Sequence, residues 1–418
     1  MKLLVFTYAP AGLGHLRVTD ALVDSKPKKY PYIMLGSYDR FITSVHRFFS
    51  TNLIGKWIFT SFQYGIMEDI GTAVYRWILV VSSRDIYLHL KQILDERSDV
   101  DEVWVVATHF GMAHQIGAVK ERLMKETGKI VKLVVQVTDD TSQHIWCIRG
   151  ADLTFVPSHI TKNKLESYAK WKKMDLLFEV IPYPICPALT KKLSDSSLRS
   201  KAFLSSNKQI NISVPISGAA VGLSFVSKLI SLVTKKSSRF KFWVLAKKSV
   251  YTDMFLSTLS KLPNVKLVTG RNDNEMISLY ELMYQDNLMH MEITKPSEQA
   301  FKAILPPNLV GGSILLFSSP VGRQEYENID FLERQGLMPR SNYSGKVNKD
   351  FLDSVPRAVR LSNDPKIAAD FILWGLKSGL FSKMSSSKYK FTDSTLSSGE
   401  VGSEGANEFW KKTIRYFG

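Results

Sequence analysis

The sequence predicts an α/β protein built from two doubly wound, Rossmann-like parallel-sheet domains, and three observations carry that expectation. The chain is 418 residues long, too long for one ordinary core and long enough for two of about 150–200 residues each. It opens with an apolar strand, Lys2–Tyr8, that runs directly into a glycine-rich turn and an amphipathic stretch through Leu22. That strand, turn and helix order is how a doubly wound domain begins. The same order recurs on the far side of a polar segment rich in Ser and Lys, as a second domain requires.

In the first half, apolar runs at Tyr32–Leu35, Glu102–Ala107, Lys132–Val137 and Leu153–Val156 read as further parallel strands, each bounded by helical or turn-like stretches. Between the second and third strands lies FITSVHRFFSTNLIGKWIFTSFQYG, with Phe41, Phe48, Phe49, Trp57, Phe59, Phe62 and Tyr64 among His46, Arg47 and Lys56. This segment suits either a helical pair buried against the sheet or a bilayer-facing surface. After IPYPICPAL the stretch TKKLSDSSLRSKAFLSSNK reads as a linker. INISVPISG, the helical run Leu223–Val233, FKFWVLA, NVKLVTG, LMHMEIT and GSILLFSSP then repeat the α/β pattern. The expected domains are 1–190 and 208–375, with a linker at 191–207 and a flexible tail at 376–418 that ends in an amphipathic helix. In that helix Phe409, Trp410, Ile414 and Phe417 oppose Lys411, Lys412 and Arg415, which fits packing onto the protein or lying in a membrane interface.

Hydrophobic residues make up 44% and charged residues 22% of the chain, and 55 Lys and Arg against 39 Asp and Glu give a net charge of +16. The first pair of numbers is a globular balance, and the charge favours anionic partners. Zinc-finger, RNP-like and helix-turn-helix patterns are missing, which argues against nucleic acid. Cys147 and Cys186, the two cysteines, form no CxxC and no disulfide framework, so a reducing, cytoplasmic setting is expected. The N-terminal apolar run is too short for a signal peptide, and no stretch approaches the roughly 20 apolar residues of a span. Contact with a membrane is therefore expected to be peripheral.

The residues with chemical potential fall at strand ends. Gly12 and Gly14 place a tight turn before a helix that His15 opens, and amides at such a helix start favour anions or polarised oxygens. Asp139 and Asp140 end another strand, followed by His144, Trp146 and Arg149; paired acids belong at a ligand face, because burying two like charges is costly. His109 and His114 are five apart, which is not the spacing of a zinc-binding helix, so no metal is expected. In the second half Thr294, Lys295, Pro296, Ser297 and Glu298 follow one strand, and Arg323, Gln324, Glu325 and Asn328 follow the next.

Taken in order, GLGH, ATHF, VTDDTSQHIW, IPYPICP, the ISG turn, EITKPSEQ and GRQEYENIDFL resemble the monogalactosyldiacylglycerol synthase and processive diacylglycerol glucosyltransferase family. They are also similar to the related peptidoglycan N-acetylglucosaminyltransferase, and the resemblance runs to about residue 340. It implies a GT-B fold with a cleft between two Rossmann-like domains. It further implies a UDP-sugar co-substrate held mainly by the C-terminal domain, a lipid acceptor held by the N-terminal one, inversion at the anomeric carbon, and no bound cofactor or essential metal. His15 matches the histidine of the family's glycine-rich loop, Gly218 its donor-side turn, and Thr294, Lys295 and Pro296 its TKP. The chain departs where the family has two glycines, reading Ser297-Glu298-Gln299, and has Ala303 near the family's ribose-binding glutamate.

The expected acceptor side is thus Gly12, Gly14, His15, His109, His144 and Trp146. The expected donor side is Gly218, Thr294 to Glu298, Arg323, Gln324, Glu325 and Asn328. His15 is the expected base, since imidazole takes a proton near neutral pH, with Asp139 or Asp140 orienting or replacing it. An anionic membrane surface is the expected further partner. A binding protein that has lost its donor chemistry and a nucleotide-sugar epimerase of the same fold are the alternatives.

Overall fold

The structure is a computed structural model that describes residues 1–8, 13–36, 64–202, 208–216, 220–339, 356–386 and 398–418. The chain divides into two compact units, Met1–Cys186 with Glu404–Gly418, and Pro187–Ser403. Gly12, Gly218 and nearly all of the aromatic segment between the second and third strands lie outside the described residues.

The first unit is a parallel sheet of β1 (Lys2–Tyr8), β2 (Tyr32–Gly36), β3 (Glu102–Ala107), β4 (Ile130–Gln136), β5 (Leu153–Val156) and β6 (Phe178–Val180), in the order β2-β1-β3-β4-β5-β6. Its described helices are α1 (Leu13–Ser25), α2 (Gly65–Val81), α3 (Arg84–Asp95), α4 (Phe110–Thr127) and α5 (His159–Trp171), with a 3-10 turn at His144–Trp146. The strands read as nearly continuous apolar runs because both faces of a parallel sheet are covered, and Leu3 to Phe6 and Val103 to Ala107 are wholly buried. Side-chain caps set helix starts: Ser158 accepts from the Thr161 amide and opens α5, and the His109 ring accepts from the Gly111 amide and opens α4.

The second unit repeats the scheme. Its strands β7 (Ile210–Pro215), β8 (Phe240–Lys247), β9 (Val265–Gly270), β10 (Met291–Thr294), β11 (Ile314–Phe317) and β12 (Ala358–Arg360) are parallel and ordered β12-β11-β10-β7-β8-β9. Its helices are α6 (Asp195–Ala202), α7 (Leu223–Lys236), α8 (Asp253–Leu259), α9 (Asp273–Asp286), α10 (Arg323–Arg334), α11 (Pro365–Lys377) and α12 (Leu380–Met384), and Glu298–Ile304 is a 3-10 run. Val226, Leu229, Ile230 and Val233 from α7 meet Ala368, Ala369 and Ile372 from α11 in one core, following the i, i+3, i+4 rule of an amphipathic helix.

The main span of the first unit ends at Cys186. Residues just after Cys186 already belong to the second unit, since the Leu189 and Lys191 carbonyls accept from the Gly311 and Val310 amides. The terminal helix α13 (Gly405–Phe417) returns to the first unit. Its Trp410 indole donates to the Leu22 carbonyl at 2.8 Å, Phe409 packs on Phe155 and Phe417 on Trp104. Of the two roles open to this helix in the sequence, packing onto the protein accounts for its apolar face.

Candidate functional site

In each sheet the chain reverses its direction of travel once, and a doubly wound sheet binds ligands outside the carboxyl ends of the strands at such a reversal. In the first sheet the reversal falls between β1 and β3, which are neighbours. In the second it falls between β7 and β10. The segments that follow those four strands carry GLGH, ATHF, the ISG turn and EITKP, so both reversals coincide with segments singled out in the sequence.

At the first reversal His15 sits in the opening turn of α1, one residue after Gly14. Its Nδ1 lies 2.7 Å from the Thr108 carbonyl oxygen and 3.1 Å from the Thr138 hydroxyl. A carbonyl can only accept, so Nδ1 carries a proton. Thr108 is fixed in turn, its hydroxyl bonded to Thr19 at 2.7 Å, and the Tyr183 hydroxyl holds the Thr138 carbonyl at 2.9 Å. The buried His109 ring meets His15 edge-on, with centroids 4.9 Å apart, and stacks on Phe110. A side chain at Gly111 would press a Cβ to 2.9 Å from that ring, which accounts for the glycine.

The other expected residues of this unit have different surroundings. Asp140 is buried and accepts from the hydroxyls of Ser158 and Thr161, bracing the start of α5. Asp139 is partly buried in the same loop. The His15 ring meets the Thr108 carbonyl and the Thr138 hydroxyl. Trp146, expected beside the acceptor, is a core residue, 2% exposed and edge-on to Phe110. His144 is gripped by α2: Asp69 lies 2.8 Å from its Nδ1, Glu68 accepts from its amide, and its ring stacks on Tyr168 at 3.7 Å. The structure therefore brings His15 and His109 together, holds His144 against α2, and takes Trp146 into the core. His114 is buried as well, donating from Nε2 to the Ile145 carbonyl at 2.7 Å, and burial lowers its pKa to about 4.

At the second reversal Thr294 ends β10 and is buried. The Lys295 ammonium lies 3.6 Å from Glu325. Glu325 also accepts from the Val321 amide at 2.6 Å, and burial raises its carboxyl pKa against the opposing pull of Lys295. The Pro296 carbonyl accepts from Asn328 at 3.1 Å, which ties the TKP segment to α10. Arg323 donates to Glu327 at 3.1 Å, and the Gln324 side-chain oxygen is buried without a hydrogen-bond partner. Ser297 precedes the 3-10 run that Glu298 begins.

Sequence reasoning missed the polar cluster behind this segment. Glu292, in the middle of β10, accepts from Tyr280, Tyr284, Ser213 and Lys302 at 2.6–3.1 Å, and Glu292 and Lys302 are both buried. Gln299 joins through Tyr280. The signal available was an acid inside an apolar strand, which needs a buried partner. The cluster anchors the 3-10 run to the strand, so the departure Ser297-Glu298-Gln299 has its own geometry.

No protein-family model matches the chain, and no curated protein matches it. Solved structures share its fold. The S. aureus MnaA–UDP complex has a TM-score of 0.52 at 11% identity, covering 100% of this chain and 97% of that one. The UDP-GlcNAc 2-epimerase from Neisseria meningitidis bound to UDP-GlcNAc scores 0.50 at 11% identity, over 99% and 100%. Phytolacca americana UGT2 complexed with UDP-2-fluoro-glucose and pterostilbene scores 0.50 at 9% identity, over 100% of both chains. With the two doubly wound sheets, these likenesses establish the GT-B fold, two Rossmann-like domains in one chain.

Proposed function

We propose that the protein is an inverting glycosyltransferase that moves a sugar from a UDP-sugar to a hydroxyl of a membrane lipid, diacylglycerol-like or polyprenyl-linked, at the cytoplasmic membrane face. The orientation imposed on His15 carries this reading. With Nδ1–H spent on the Thr108 carbonyl at 2.7 Å, Nε2 is the basic nitrogen of the neutral ring, at the sheet position where ligands bind. In the reaction Nε2 takes the acceptor hydroxyl proton, the oxygen attacks the anomeric carbon, and the bond to UDP breaks with its electron pair leaving on the diphosphate. Lys295 and Arg323 supply positive charge to that leaving group, while Thr294, Ser297 and Glu298 offer groups to the nucleotide. His109 and Gly14 border the acceptor.

Sugar transfer to lipid is measured in detergent across a panel of UDP-sugars. His15→Ala lowers turnover by about 10²–10⁴-fold and leaves UDP-sugar affinity near that of the unaltered protein; full turnover in the variant removes His15 from the mechanism. A second reading rests on the full-length likeness to the Neisseria epimerase: a nucleotide-sugar epimerase converts UDP-GlcNAc to its epimer without any acceptor, which proton NMR detects. Stabilisation by UDP with neither reaction identifies a binding protein.

A further inference from the structure

Helix α2 is inside out. Its charged residues Glu68, Asp69 and Arg76 turn toward the protein: Glu68 and Asp69 hold His144, and Arg76 donates to the carbonyls of His144 and Cys147 and to the Tyr168 hydroxyl. Glu68, Thr72 and Leu79 are its buried residues. Apart from Leu79, most of its apolar residues face outward, with Ile66 78%, Ile70 51%, Val74 53%, Trp77 66% and Val81 64% exposed. These positions, spaced by four, four, three and four, make one stripe along 17 residues, about 25 Å of helix. Single exposed apolar residues are ordinary, but a continuous stripe marks an interaction surface.

We propose that this stripe lies in the interface of an anionic lipid bilayer, so that α2 docks the first unit on the membrane while its polar face holds the 144–147 turn. The proposal deepens the lipid-acceptor reading by naming the surface that meets the lipid phase. The choice of occupant rests on charge. Tyr168, which Arg76 touches, packs on Trp171; Trp171 is 63% exposed, has the Lys172 ammonium 3.6 Å from its ring centroid, and is flanked by exposed Lys170 and Lys173. An indole with a surrounding cluster of lysines suits the level of lipid headgroups. The chain carries a net charge of +16 overall, which favours an anionic surface. Among the described residues no helix is long and apolar enough to cross a membrane, so α2 lies along the surface.

The test is co-sedimentation of the full chain with phosphatidylcholine vesicles, with and without phosphatidylglycerol, and it needs no sugar transfer, so its failure is separate from failure of the transferase reading. Binding to the anionic vesicles is expected, weakening with salt. The Ile70→Asp, Trp77→Asp double variant is expected to lose on the order of tenfold or more of that binding with its melting temperature unchanged. An environment-sensitive fluorophore on Val81→Cys, Cys147 and Cys186 being buried, is expected to shift to the blue on the same vesicles. Absence of vesicle binding, or equal binding by the double variant, overturns the proposal. A dimer that the double variant abolishes, without vesicle binding, assigns the stripe to a second copy and overturns it too. Loss of thermal stability in the double variant together with a silent probe assigns the stripe to the chain's own segment, and the proposal then falls as well.

Discussion

His15, His114 and His144 show how surroundings divide one residue type into separate tasks. His15 stands in the first turn of α1 with its Nδ1 directed to the Thr108 carbonyl, which fixes the orientation of the ring. His114 is enclosed, and its pKa falls from 6.5 to about 4 because burial penalises the imidazolium. The unfolded chain therefore binds one more proton than the folded one between those values, and stability rises with pH across that window. Lowering the pH from about 6.5 to 4 costs up to about 3 kcal/mol from this residue alone. Urea unfolding at several pH values checks it: His114→Gln, which can still donate to the Ile145 carbonyl, is expected to flatten the slope. Cys147 follows the same rule with the opposite sign for an acid, its thiol pushed up to about 12 by burial. It is expected to react with a thiol reagent only on unfolding, and fast labelling of the native protein would contradict that.

At the scale of elements, β10 and the 3-10 run after it are joined by a buried ion pair rather than by apolar packing alone. Lys302 lies 3.0 Å from Glu292, and the hydroxyls of Tyr280 and Tyr284 complete the cluster. Removing one partner leaves the other charged and buried without compensation, so Lys302→Met is expected to cost about 3–5 kcal/mol in chemical denaturation. Adding Glu292→Gln to Lys302→Met is expected to recover part of that loss, because no uncompensated charge then remains. A single variant as stable as the unaltered protein would show that the pair contributes nothing. Helix α2 reverses this arrangement, with polar contacts inward and the apolar face outward, which is why it alone of the helices described in the first unit carries a docking proposal.

At the scale of the molecule, the chain leaves the first unit at Cys186 and comes back to it at Glu404. The return depends on a close approach: a Cβ at Gly405 would sit 2.2 Å from the Pro182 carbonyl oxygen and 2.5 Å from that of Tyr183. Gly405→Val is expected to displace the start of α13, expose Phe155 and Trp104, and lower stability by about 1–3 kcal/mol. Calorimetry reads this as a melting temperature reduced by several degrees, and limited proteolysis as faster loss of the C-terminal helix. Lys412, paired with Glu179 at 2.9 Å, is a partly exposed contact whose loss matters much less.

The sequence by itself determined the α/β class, the longer strands of both sheets, and the placement of GLGH, ATHF and TKP after strands, because strand periodicity and glycine-rich turns are local signals. The short strands β6 and β12 escaped it: three residues each are too few to show a pattern. Tertiary structure alone decided that β1 lies beside β3 and β7 beside β10, and so which strand ends share a reversal. It also decided which apolar residues are core. Trp146 reads as a ligand contact and is buried, the apolar stripe on α2 has the spacing of a core face and is exposed, and the terminal helix reads as anchor or packing and is packed. Periodicity reports that a face needs covering; only the fold states what covers it.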